Sequence, residues 1–450
     1  MFQLTEISLQ FTQSQRESFL ASERNRIAQN AATTSGIDAA STNPWAEQVN
    51  NNVYSVDLET GKIPNQRRSG RCWLFANLNI LRERVLGAMK SDEKGFELSQ
   101  SYLFFYDKYE KANFFYENII ATAGLDLDSR EVAHLLRTPQ EDGGQWDMIV
   151  SIIQKYGVVP QSVMPDTFSA TDSSALNTQL NKKLRQDAKV LREMVKAGAS
   201  DDELNAKRGE FLEVIYRMLA ISLGTPPTEF DFSYRDSDKE YHAHKGLTPK
   251  SFYDEFVGLD LTEYVPIINA PSENKPYNQA FSVDLLGNVV GGREIKYVNV
   301  PMNTLKEVTI KQLKAGESVW FGCDVGQSST RKSGLMSLDA FDTEALFDLE
   351  WTMDKKDRLE YGESLLTHAM VLTGVDLDGD TPLKWKVQNS WGEDIGKKGY
   401  FVMTDDWMDE YTYQVVIHKD HLPQEILDIY ESEATVLPAW DPMGSLAGMY

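Results

Sequence analysis

Downstream of Cys72, the apolar residues Leu74, Leu78, Leu81 and Val85 recur at steps of four, three and four, which places them on one face of a helix running to about Leu86. Cys72 stands in its first turn. A second helix, rich in aromatic residues, is predicted over Ser99 to Asn118, and a third opens near Trp146 after the Gly143-Gly144 pair and ends before Gly157. Between Leu176 and Leu223 the pattern stays helical but the composition turns to Lys, Arg, Glu, Leu and Ala, which reads as an inserted amphipathic hairpin with no chemistry of its own. Beyond Thr225 proline and aromatic residues increase and the chain reads as loops. From Tyr297 short β-rich segments take over, among them Ser318-Val-Trp-Phe-Gly, Ala369-Met-Val-Leu-Thr-Gly-Val, Leu383-Lys-Trp-Lys-Val-Gln-Asn and Tyr400-Phe-Val-Met. The first sixty residues are polar and read as a short helix followed by an extended arm.

This order of helices, insertion and sheet predicts an α+β protein whose two segregated lobes leave a cleft between them. The expected divisions are an N-terminal helix and arm over 1–60, a helical lobe over 61–170, a helical and loop insertion over 171–296, a β-rich lobe over 297–435 and a tail over 436–450. With 450 residues, 41% of them hydrophobic, the chain can bury a large core. Its formal net charge of −23 argues against a nucleic-acid partner, because the surface repels phosphate on average. Only two cysteines occur, Cys72 and Cys323, a usage that fits a reducing compartment. Neither a basic-then-apolar start nor a run of ~20 apolar residues is present, so a cytoplasmic protein with no membrane segment is expected.

Chemistry concentrates in a few segments. Gln66-Arg-Arg-Ser-Gly-Arg-Cys72 sets a cysteine at a helix start, where unpaired N–H groups and the helix dipole favour a thiolate, with Arg67, Arg68 and Arg71 nearby. The same N–H groups can donate to an oxyanion, and the neutral amide of Gln66 can supply a second donor. A histidine is the natural base near neutral pH, and His368 opens a predicted strand that would hold it at a cleft wall. Asn389 ends another strand. Its carbonyl can orient the imidazole while staying neutral, and Trp391 can shield that bond.

Gln66 to Ala76, Asp142-Gly-Gly-Gln-Trp146, Thr367-His-Ala and Asn389-Ser-Trp-Gly392 resemble the papain superfamily in order and context. More narrowly, Ser69-Gly-Arg-Cys-Trp, Glu97-Leu-Ser-Gln-Ser-Tyr, Tyr156-Gly-Val-Val-Pro160 and Leu437-Pro-Ala-Trp-Asp-Pro-Met-Gly-Ser-Leu-Ala resemble the bleomycin hydrolase and aminopeptidase C family, from roughly Gly61 to Ala447. Roughly 300 residues separate Cys72 from His368, against ~130–150 in smaller papain-like proteases, and the helical insertion accounts for the excess. The resemblance implies a papain-like two-lobed fold, a backbone edge at Gly143 and Gly144 that binds substrate as an added strand, and a homohexamer with sites facing an inner chamber. It also implies a tail whose carboxylate anchors the substrate's amino group, giving aminopeptidase action. Here the chain continues past Ala447 as Gly448-Met449-Tyr450, which departs from that pattern.

The other candidates have plainer readings. Cys323 is a buried small hydrophobe, His242-Ala-His244 a loop pair rather than a metal site, and Asp376-Leu-Asp-Gly-Asp380 a hairpin turn, since the glycine and glutamate of a calcium loop are absent from it. No metal or organic cofactor is implied. The expected activity is release of N-terminal residues from peptides through a thioester on Cys72. The alternatives are an endopeptidase on the same scaffold, favoured by the altered tail, and a non-catalytic binding or assembly protein.

Overall fold

A computed structural model describes residues 4–445, so the expectation for Gly448-Met449-Tyr450 lies outside the described residues. The helix Cys72–Met89 begins at the cysteine itself and ends at Lys90, whose left-handed backbone closes the last turn. Ser99 caps the helix Gln100–Ala121 by accepting from the Tyr102 N–H, and Gly157, at φ 71, stops the helix Trp146–Tyr156. That glycine is needed: a Cβ there would lie 2.3 Å from the Pro249 carbonyl oxygen. The predicted insertion is a helical hairpin, Ser174–Lys196 and Asp201–Leu223, packed on Gln100–Ala121.

Two stretches differ from expectation. The N-terminal stretch holds four helices, Leu9–Ala21, Glu23–Ser35, Ile37–Ser41 and Pro44–Val49, in place of one helix and an arm. Ser8, Ser22 and Asn43 cap three of them, a local signal that the polar composition obscured. Beyond Thr225 the chain forms the hairpin Phe230–Arg235 with Tyr241–Leu247, and it then supplies strands Tyr264–Ile268 and Gln279–Val283 to the main sheet. His242 and His244 therefore sit on a strand, facing Asp236 and Glu255, not on a loop.

At the centre of the sheet, strand Val319–Cys323 lies antiparallel between Thr412–His418 and His368–Asp378, and the latter pairs in turn with Thr381–Gln388 and that strand with Tyr400–Thr404. Asp378 faces Thr381, confirming a tight hairpin at Gly379-Asp380. Both faces of the central strands are covered, so they read as unbroken apolar runs. Trp320, Ala369 and Val371 face the helical core, whereas Val319, Phe321, Met370 and Leu372 enter a second core beyond the sheet. Trp146 meets Trp320 edge-on, ring centroids 6.2 Å apart, and Trp320 Nε1 donates to the Trp73 carbonyl at 3.4 Å. This indole seam joins helices to sheet directly behind Cys72.

Candidate active site

Two strands and one helix start bring the four expected residues together. Cys323 pairs with His368 in register, so the histidine stands at the mouth of the central strand pair. Val371 pairs with Gln388, and this register carries Asn389, one residue past its strand, back alongside the imidazole. His368 Nε2 and Asn389 Oδ1 are 2.9 Å apart, which leaves Nδ1 as the ring nitrogen for Cys72. Trp391 covers the pair, its ring centroid 5.0 Å from that of His368. Asn389 Oδ1 also accepts from the Ser390 N–H at 2.7 Å, so the acceptor is fixed from two sides.

Gln66 is held across the lobes. Its Nε2 donates to the Ser69 carbonyl at 2.7 Å, its Oε1 accepts from Ser390 Oγ at 2.6 Å, and its backbone N–H donates to the Ser390 carbonyl at 2.8 Å. One Nε2 hydrogen remains for an oxyanion. Ser390 was not singled out in the sequence; its place between Asn389 and Trp391 was the available signal.

The electrostatics depart from the expected activated thiolate. Cys72 is 0% exposed, and burial pushes its thiol up to about 11, although N–H groups of Ala369, Trp73 and Cys72 itself pull it down. Two of the neighbouring arginines are committed elsewhere: Arg71 makes a two-pronged bond to Asp166 at 2.8 and 3.1 Å, and Arg68 lies 3.7 Å from Asp172. Burial likewise holds His368 down to about 4, opposed by its bond to Asn389 and reinforced by Arg331. Both shifts favour the neutral forms in the closed site, and a proton moving from Cys72 to His368 creates an ion pair without changing the site's net charge.

The loop opposite is equally fixed. Asp142 accepts from the Gly70 N–H at 2.9 Å and pairs with buried Lys108 at 2.8 Å, and its carbonyl accepts from Trp73 Nε1 at 2.8 Å. Gly143 follows, its carbonyl bonded to Lys111 Nζ at 2.5 Å. Gly144 lies against the Trp73 indole, where a Cβ would come within 2.6 Å. Gln145 Nε2 donates to the Ser445 carbonyl at 3.0 Å, and Ser445 Oγ donates to the Leu366 carbonyl at 2.6 Å. The last described residue thus ties the glycine loop to the segment leading into His368.

Among the described residues one group could hold a metal ion, Asp236, Glu240 and His242 on the hairpin, remote in sequence from these residues. No helix is long and apolar enough to cross a membrane.

Residues 6–444 match the family model described as Peptidase C1-like family. The chain belongs to the Peptidase C1-like family. Within that family it is 51% identical to Aminopeptidase C of Streptococcus thermophilus over 99% of this chain and 100% of the relative, and 44% identical to Aminopeptidase W of Lactobacillus delbrueckii subsp. lactis over 97% and 99%. The crystal structure of pepw from Lactobacillus rhamnosis hn001 superposes with a TM-score of 0.96 at 50% identity, covering 98% of this chain and 99% of that one. The papain-like two-lobed fold and the identity as a cysteine peptidase expected from the sequence agree with these matches.

Proposed function

We propose that the protein is a cysteine aminopeptidase in which Cys72 is the nucleophile, His368 the general base and acid, Asn389 the orienter, and Gln66 with the Cys72 N–H the oxyanion donors. In acylation His368 Nδ1 takes the thiol proton, the sulfur bonds to the scissile carbonyl carbon, and the carbonyl electrons move to an oxygen held by the two donors. Collapse expels the amine, which receives the proton from His368 and leaves a thioester. Water, deprotonated by His368, then attacks the thioester, and the returning proton regenerates the thiol.

The observation that carries the exopeptidase reading is Ser445. It spans from Gln145 to Leu366 beside Gly143 and Gly144, in the arm of the cleft where residues preceding the scissile bond would lie. With Ser445 occupying that arm, a substrate has space for its first residue and little more. The names Aminopeptidase C and Aminopeptidase W of the relatives support the same reading. The test compares a free-amine aminoacyl arylamide with an N-acetylated peptide, using the intact protein, protein truncated after Ala447, and Cys72→Ala. Hydrolysis of only the free-amine substrate, lost in Cys72→Ala, is expected; cleavage of the blocked peptide by intact protein would replace this reading with an endopeptidase.

A homohexamer in the cytoplasm is proposed with it. Helix Leu9–Ala21 has no buried residue, and Leu9, Phe11 and Leu20 are all exposed on it, an apolar surface that self-association would cover. Light scattering should return six times the 51.0 kDa chain mass, and a monomer mass would refute the assembly.

A further inference from the structure

The arm of the cleft opposite Ser445 has a different character. Trp391 bounds it, bridged to Asn65, and Gly392 donates to the Pro64 carbonyl at 3.0 Å. The Arg331 guanidinium lies over the Trp391 ring, 4.7 Å from its centroid, close enough to His368 to disfavour a charged imidazole. Lys332 follows on the same turn, and its carbonyl accepts from the Gly396 N–H at 3.2 Å, packing this turn against the loop that carries Lys397 and Lys398. Arg67 stands two residues past Asn65 in a left-handed backbone conformation. All five cations are exposed, and among the described residues none has a carboxylate within ion-pair distance, although Glu393 and Asp394 lie on the same loop as the two lysines.

In a chain of net charge −23, a rim of unpaired cations beside the base is a local reversal of sign. Its position gives it meaning. His368 protonates the departing amine, so whatever is attached to that nitrogen lies on the His368–Trp391 side. One residue spans ~3.5 Å, which keeps its substituents near Trp391.

We propose that this leaving-group subsite is built for anions, with Arg331 on Trp391 binding a carboxylate of the residue after the scissile bond, either the free α-carboxylate of a dipeptide or an acidic side chain. The proposal rests on the aminopeptidase reading. It makes short peptides ending at that residue, and peptides with Asp or Glu in second position, the favoured substrates. Arg331 is mounted on an aromatic face, and its planar fork can engage both carboxylate oxygens.

The experiment measures kcat and KM for Ala-Ala against Ala-Ala-amide, for Ala-Asp-amide against Ala-Asn-amide, and for alanyl arylamide, whose leaving group is uncharged. The first pair reports the α-carboxylate and the second the side chain. Wild-type protein should favour the anionic member of at least one pair by about fivefold in kcat/KM, mainly through KM, and about 0.5 M salt should erode the preference. Arg331→Met keeps the stem on Trp391 and removes the charge; it should abolish the preference and leave arylamide hydrolysis within twofold. Arg331→Lys should restore part of it. Equal rates for both members of both pairs in wild type, or an equal loss on the arylamide in Arg331→Met, would overturn the subsite; the wild-type comparison needs no variant to fold. Silence of wild type toward every free-amine substrate, arylamide included, would overturn the aminopeptidase reading and the subsite with it.

Discussion

Replacing Asp142 with Asn should destabilise the protein through a residue that never meets substrate. Asp142 and Lys108 are both buried, with side chains 2.8 Å apart. Burial alone would raise the Asp142 carboxyl, but Lys108 and the donors on Lys108, Ser173 and Gly70 hold it well below the usual carboxylate range. Asp142→Asn keeps the shape and strands the Lys108 ammonium, which retains Gln140 Oε1 at 2.7 Å and Asn177 Oδ1 at 2.6 Å but no carboxylate in direct contact, Asp107 and Glu141 acting on it only from farther away. Breaking a buried pair from one side costs ~3–5 kcal/mol. Unfolding entropy for a chain of this length is ~1 kcal/mol per kelvin near 60 °C, so a cooperative melt should drop by ~3–5 °C. Calorimetry of wild type, Asp142→Asn, Lys108→Met and the double variant measures this. The double variant should regain at least half the loss, because no charge is then stranded. A depressed carboxyl stabilises the fold fully above its unfolded pKa and loses that contribution as pH falls, so the gap between wild type and Asp142→Asn should narrow below about pH 4. An Asp142→Asn melt within 1 °C of wild type, or a double variant no better than the single one, would refute the stranded-charge reasoning.

Gly144→Ala should lower arylamide kcat/KM at least tenfold and cost ~1–3 kcal/mol in a denaturant melt, because its Cβ meets the Trp73 indole at 2.6 Å and Trp73 adjoins Cys72. Asn389→Ala should cut kcat by ~10²-fold with little change in melting temperature, as His368 Nε2 loses its partner; an unchanged kcat would remove Asn389 from the mechanism. Cys323→Ala should stay within twofold of wild-type activity and remain inactivated by iodoacetamide, since Cys323 is fully buried and takes no part in the proposed proton transfers, whereas Cys72 does. The acid limb of kcat/KM against pH should move upward by a few tenths of a unit in Arg331→Met, because removing a positive neighbour favours protonated His368; a downward move would contradict the geometry.

The parts of the fold read most directly from sequence were those with one dominant period. The 3.6-residue stripe from Leu74 to Val85 and the apolar runs around Phe321 and Val371 named their elements because each packs on a continuous core. The hairpin Phe230–Arg235 with Tyr241–Leu247 was missed although its first strand alternates, Phe230-Asp-Phe-Ser-Tyr-Arg235, because the strands are short and largely solvated and the surrounding proline and aromatic residues read as loop. Strand Tyr264–Ile268 is five buried residues with a proline inside, which suppresses a strand signal. For the candidate site, residue types and order located Gln66, Cys72, His368 and Asn389, but not their charge states. A helix start predicts a lowered thiol pKa only while water reaches it. The complete burial of Cys72 is a property of the assembled lobes, which no local pattern carries.

That assembly also explains why the site sits where the lobes meet. Cys72 starts a helix of one lobe, whereas His368 opens one strand of the other and Asn389 follows the end of another, so neither lobe alone sets a sulfur-to-nitrogen distance. Chemistry of this kind requires placement within about 0.5 Å, and loops tethered only to their own lobe would not provide it. The seam does so through groups that cross it: the Gln66 N–H and Oε1 to Ser390, the Gly392 N–H to Pro64, Trp320 Nε1 to Trp73, and Ser445 to both Gln145 and Leu366. Most involve backbone atoms, which any residue supplies, so their partners are legible only in three dimensions. Loss of one such bond would move the two halves of the site relative to each other before it unfolded either, which makes residues such as Ser390 and Trp320 determinants of activity although neither acts on substrate.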